Sequence, residues 1–286
     1  MKGSNEKEGK RVNGKFKWNE GEVYQLPEYL NDGNDILKIW FLSKGKLKYC
    51  WPHEQEVFLQ NLKTQPLDWK YREKEVYYTI NSHGYRCEKE FDEIDWKNAI
   101  VVFGCSMVFG EGVSDDETLS YFLSKLYNRE VVNLGVPSSS NEFMLDNAIR
   151  MKKKYGIPYA MIMMWTLSGR LPYYGEDVLS HIGISGNSEV SVLGRPNYHH
   201  LVTNLYYTKS NEFNRLYNTT EISRQIFAEK TNYFDGSFFS ETAHYGKCYD
   251  RFGFINNARD LIHIGSDDLE RVANEIKIIM DNEIIK

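Results

Sequence analysis

Five apolar residues, Ala99-Ile-Val-Val-Phe103, follow one another without a polar interruption and stop at Gly104. A strand with one wet face alternates polar and apolar residues, so an unbroken run of this kind belongs to a parallel strand covered on both faces. It requires helices above and below a sheet, and the residues that follow supply the pattern. Ser114 and Glu117 form an S-x-x-E capping box, after which Leu119, Phe122, Leu123 and Leu126 recur at helical spacing. Val131 to Leu134 reads as a second strand. Ser139 with Glu142 forms another capping box, opening a helix to about Tyr155 that Gly156 ends, and Tyr159 to Trp165 is a third buried strand. Strand, helix, strand, helix, strand with short connections predicts an α/β three-layer sandwich around a central parallel sheet.

Around this core the chain is less regular. Residues 1–20 are rich in Lys, Glu, Gly and Asn and read as a mobile tail. Residues 21–96 form an aromatic-rich extension packed on the core, with short strands expected at Leu37 to Trp40, Leu47 to Trp51 and Glu75 to Ile80 and a helix near Glu54 to Leu62. The core domain is expected over residues 97–286. Within it, Leu171 to about Asn257 shows one helix, from about Thr220 to Asn232 with Ile222, Ile226 and Phe227 inward. A last helix is capped by Ser266, with Leu269, Val272, Ala273, Ile276, Ile279 and Met280 as its apolar stripe.

Composition excludes several function classes. With 35 Lys+Arg against 40 Asp+Glu the formal net charge is −5, and the basic runs are short, so no nucleic-acid partner is expected. The longest apolar runs fall far below the ~20 residues that cross a bilayer, and no membrane partner is expected. Met1 to Asn19 lacks the apolar stretch of a secretory signal, which predicts a cytoplasmic or otherwise non-classical location. The four cysteines, Cys50, Cys87, Cys105 and Cys248, have no CxxC spacing. His199 and His200 are adjacent and without a further ligand set, so loop histidines are expected there and no metal.

Ligands of open α/β sheets gather beyond the carboxyl ends of the strands. The first strand leads into Gly104-Cys-Ser106-Met-Val-Phe-Gly110-Glu-Gly112, which puts Ser106 just past that edge. The glycines resemble a phosphate loop only superficially, since neither GKS/GKT nor GxGxxG is present. A serine hydroxyl needs a base, and a base needs its own carboxylate. Of seven histidines, His263 has that setting, in Asp260-Leu-Ile-His263 immediately before the last helix. Cys105 would point away along the turn and reads as a small apolar residue.

Taken together these segments resemble the SGNH (GDSL-type) hydrolase family over about residues 98–280. Gly104-Cys-Ser106, followed by Phe109-Gly-Glu-Gly-Val113 and Asp115-Asp-Glu-Thr118, resembles its first block; Asn133-Leu-Gly135 its second; Asp260 and His263 its last. The resemblance implies a flavodoxin-like fold and ester hydrolysis by a Ser106, His263, Asp260 triad, with the amides of Ser106 and Gly135 holding the oxyanion and no metal or organic cofactor. It implies a small-molecule or carbohydrate ester as substrate, an O-acetyl group being one form. Two positions depart from the pattern. Cys105 replaces the aspartate that usually precedes the serine, and Trp165-Thr-Leu-Ser-Gly-Arg170 replaces the third block, whose asparagine supplies an oxyanion donor. Thr166 or Ser168 is expected to supply that donor instead, against the alternatives that the donor is missing or that both bond locally to backbone. A binding or structural protein without efficient catalysis, and an acyltransferase using the same triad, are the alternative functions. The oligomeric state is not fixed by the sequence.

Overall fold

The computed structural model describes residues 11–12, 15–16, 35–37, 39, 42–48, 54–170, 209–239 and 257–285. The chain divides into two compact units, Met1–Gly33 and Asn34–Lys286. In the first, β1 (Arg11–Val12) pairs antiparallel with β2 (Lys15–Phe16), a two-residue ladder inside the stretch read as a mobile tail.

In the second unit, β3 (Gly45–Leu47) pairs antiparallel with β4 (Tyr78–Ile80), and α1 (Glu54–Thr64) lies between them in sequence. These residues lie in the same compact unit as the core. The joint is specific. Asn147 accepts the Leu37 amide at 2.9 Å and donates to the Tyr85 hydroxyl at 2.6 Å, while Trp96 stacks on Tyr155 at 4.4 Å between ring centroids.

Among the described residues the central sheet has four parallel strands in the order β6-β5-β7-β8: β5 (Ile100–Gly104), β6 (Val131–Gly135), β7 (Ala160–Trp165) and β8 (Asn232–Ser237). Every residue of β5 and β7 is buried, as their unbroken apolar runs require. From β5 the chain steps one way to β6, then back across β5 to β7 and on to β8. Right-handed crossovers therefore put α3 (Leu119–Tyr127) on one face and α4 (Asn141–Tyr155) and α5 (Lys209–Phe227) on the other. The last helix, α6 (Ser266–Ile279), packs against α3 and completes the three layers.

Four details differ from the sequence reading. The Ser114–Glu117 box caps a 3-10 turn, and Thr118 caps α3 by accepting the Tyr121 amide. Ser140, not Ser139, caps α4, because the Ser139 hydroxyl donates instead to the Gly104 carbonyl at 3.1 Å. Gly265, not Ser266, is the cap residue of α6; the Ser266 hydroxyl is engaged by Lys70 and Asp267. Helix α5 starts at Lys209 and buries Leu216, Thr219, Thr220, Ser223 and Phe227, leaving Ile222 44% exposed. Its end at Phe227 makes room for β8, a strand absent from the sequence reading. The expected strands at Leu37 to Trp40 and Leu47 to Trp51 lie partly outside the described residues, and His199, His200, Cys50, Cys248 and most of Leu171 to Asn257 lie outside them. Among the described residues no helix is long and apolar enough to cross a membrane.

Candidate active site

The sheet order reverses at β5, and the crevice of an open α/β sheet lies at that point, beyond the strand ends. There the chain leaves β5 through Cys105 into the single turn α2 (Ser106–Phe109). As the first residue of that turn, Ser106 has an amide without an intrahelical partner. Its carbonyl accepts the amides of Gly110 and Glu111 at 2.9 and 3.1 Å, which fixes the start of the next loop. The turn sits close against β6. A Cβ on Gly135 would stand 2.4 Å from the Phe109 nitrogen, so this approach needs glycine.

His263 reaches the same place from the other end of the chain. Its Nε2 lies 2.9 Å from Ser106 Oγ, and its Nδ1 lies 2.5 Å from Asp260 Oδ2. The other carboxylate oxygen, Oδ1, accepts the backbone amides of Ile262 and His263, both at 3.0 Å. One side chain thus folds the turn and orients the ring. Leu261, between them, takes the left-handed region with φ +61°, an uncommon conformation for a branched residue.

Electrostatics follow from these contacts. Burial opposes the imidazolium, but the hydrogen bond and charge of Asp260 together with the charge of Glu111 outweigh it, and His263 titrates above 6.5. Burial likewise opposes ionisation of Asp260, but His263 and the two backbone amides hold its carboxyl below its usual range.

The structure brings Ser106, His263 and Asp260 together; it treats the expected oxyanion donors differently. The Gly135 amide donates to Asn133 Oδ1 at 2.9 Å, so it is already committed, and Asn133 Nδ2 ties the strand to the Val108 carbonyl at 2.9 Å. Thr166 is fully buried, clasped at its backbone by Asn141 and at its hydroxyl by Arg170, whose Nη1 donates at 2.9 Å. Ser168 Oγ points to Glu212 on α5 at 3.5 Å. Neither hydroxyl bonds to Ser106.

Sequence reasoning gave no role to Glu111, although its place between two glycines at the functional edge was visible. Its Oε2 lies 3.7 Å from His263 Nε2. Glu111, Asp260 and His263 each offer a ligand atom within 4.8 Å of the others. The imidazole, however, directs Nδ1 at Asp260 and Nε2 at Ser106, which leaves no lone pair aimed at a point shared with both carboxylates.

Also missed were the residues of the extension that hold both turns of the candidate site. Arg86 uses all five donors: Nε to Asp115, Nη1 to the carbonyls of Phe109 and Gly110, Nη2 to those of Tyr77 and Val113. The Tyr78 hydroxyl donates to Glu54 and accepts the Gly112 amide at 3.0 Å. Glu54 pairs with Arg259, whose amide donates to the Gly112 carbonyl at 3.0 Å. A cavity of about 380 Å³ borders the same turn at Leu261, with Gln65, Trp69, Tyr71, Asn257 and Ser266 among its walls.

No protein-family model matches this sequence, and no curated protein matches it. Solved structures do. AlinE4, an SGNH-hydrolase family esterase, is 12% identical with a TM-score of 0.30, over 67% of this chain and 83% of that one. A carbohydrate esterase family 2 enzyme with a carbohydrate binding domain, from Corynascus thermopiles (Myceliophthora fergusii), is 10% identical with a TM-score of 0.31, over 65% and 67%. The acetyl xylan esterase Est2A of the rumen bacterium Butyrivibrio proteoclasticus is 10% identical with a TM-score of 0.30, over 74% and 56%. These likenesses are distant, and the chemistry of this chain rests on its own residues.

Proposed function

We propose that this chain is a serine hydrolase that cleaves a carboxylic ester, with Ser106 as nucleophile, His263 as general base and acid, and Asp260 as the group that orients His263. The observation that carries this reading is the hydrogen-bonded line from Ser106 Oγ to His263 Nε2, 2.9 Å, and from His263 Nδ1 to Asp260, 2.5 Å. Such a line lets a hydroxyl lose its proton as it attacks.

In the first half-reaction the Oγ–carbon bond forms while Nε2 takes the serine proton. The oxyanion draws on the Ser106 amide. Collapse then breaks the carbon–alkoxy bond, and the leaving oxygen takes the proton from Nε2. Water attacks the acyl-serine in the second half, giving a proton to Nε2. The Oγ–carbon bond breaks, the proton returns to Oγ and the acid departs. Asp260 accepts the hydrogen bond from the Nδ1–H throughout, which holds the proton on Nδ1 and keeps Nε2 free as the base. An O-acetyl group on a carbohydrate is the substrate we favour, and the chemistry needs neither metal nor organic cofactor.

Ser106→Ala should remove nearly all turnover of p-nitrophenyl acetate and abolish labelling by a serine-directed phosphonate. Labelling that persists in the variant would show that another residue is the nucleophile.

A further inference from the structure

Glu111 lies outside the triad yet shares its reacting nitrogen. Its side chain is 11% exposed, and its Oε2 stands 3.7 Å from the same Nε2 that bonds Ser106. The backbone fixes this position: the Glu111 amide donates to the Ser106 carbonyl at 3.1 Å, and Arg86 grips the neighbouring Gly110 carbonyl.

Geometry gives the consequence for a bound ester. To pass its proton on, Nε2 must come within about 2.6–3.2 Å of the alkoxy oxygen of the leaving group. That oxygen, and the carbons next to it, are then confined to the neighbourhood of Glu111. A carboxylate only accepts hydrogen bonds, and with about four lone-pair sites it can accept from a ligand alongside its partners in the protein. It therefore favours a donor on the alcohol and repels an anion there, most strongly in a site withdrawn from water.

We propose that Glu111 determines the leaving-group specificity of this site: it accepts a hydrogen bond from a hydroxyl beside the scissile carbon–oxygen bond, so that monoesters of vicinal diols are preferred and esters of anionic alcohols are disfavoured. The proposal rests on the serine-hydrolase reading above. Glu111 also acts on the proton. The groups that face His263 are Asp260 on its own turn, Glu111 on the loop after Ser106, and the Cys105 thiol at the end of β5. Neutralising Glu111 removes one carboxylate that favours the imidazolium, so the acid limb of kcat/KM moves to lower pH.

The test compares kcat/KM of the full chain for three acetyl esters: phenyl acetate, 2-hydroxyphenyl acetate and 2-acetoxybenzoate. Glu111→Ala should lower the value for 2-hydroxyphenyl acetate, relative to phenyl acetate, by about tenfold or more, the size of a hydrogen bond to a charged group. Glu111→Gln should raise the relative value for 2-acetoxybenzoate and shift the acid limb down. Phosphonate labelling of Ser106 in each variant verifies that the site is assembled. An equal change for all three esters, with labelling intact, overturns the role of Glu111 and leaves the hydrolase reading standing. If the unmodified chain is neither labelled by the phosphonate nor able to turn over phenyl acetate, both readings are overturned.

Discussion

Glu54 and Arg259, 205 residues apart in the chain, form a buried ion pair of 2.5 Å. Glu54 Oε1 also accepts the Tyr78 hydroxyl at 2.6 Å, and the residue after Arg259 is Asp260. The extension thus bears on the Asp260–His263 turn through charges withdrawn from water.

Glu54→Leu strands Arg259 without this partner. Breaking a buried pair from one side costs about 3–5 kcal/mol, and the denaturation midpoint should fall accordingly. A loss under about 1 kcal/mol, read from urea unfolding, would mean that Arg259 finds solvent or another carboxylate.

Asp260→Asn keeps an oxygen for the backbone amides of the turn but no longer enforces the Nδ1-protonated tautomer. Turnover of a small acetyl ester should fall by on the order of 10⁴, while phosphonate labelling slows without disappearing. A variant with near-normal kcat would remove Asp260 from the proposed mechanism.

Stability and turnover should have different pH optima. Asp260 ionises below 3.8 in the folded state, so its contribution is present above the unfolded pKa and lost as pH falls through the folded one. His263 is raised above 6.5, so its contribution is full below that value and lost as pH climbs through the folded pKa. Both act together between these limits. On the proposed mechanism turnover needs the neutral imidazole and rises above them, so the acid limb of kcat/KM should have its midpoint above 6.5. A limb centred at or below that value would contradict the two-carboxylate environment of His263.

Ser168→Ala should leave kcat within about twofold, because its hydroxyl faces Glu212 at 3.5 Å and makes no bond to Ser106. A drop of roughly a hundredfold, with KM unchanged, would put the hydroxyl at the oxyanion after all.

Much of this arrangement is legible in short stretches of sequence. The strands β5 and β7 declare themselves because both faces are buried, and Ser106 and the Asp260–His263 turn because the residues that make each sit within a few positions of one another. Strand β8 does not: Asn232-Tyr-Phe-Asp-Gly-Ser237 carries Asn, Asp and Gly, which are depleted in strands, and it forms because Asp235 pairs with Arg224 and the backbone pairs with β7. The apolar periodicity of α5 misleads because its buried face is largely Thr and Ser. Glu111 and Glu54 take their meaning from partners 152 or 205 residues away, a distance no local pattern spans.

The bond between Ser106 and His263 closes a loop of 157 residues. Closure entropy grows with loop length, and contacts of such separation form late, after local helices and neighbouring strands. A folding chain therefore has its serine in place, with an ordinary alcohol's reactivity, well before the proposed base reaches it. Refolding from denaturant should restore the helical signal first and, on the proposed mechanism, ester turnover afterwards, once nearly all of the chain is native.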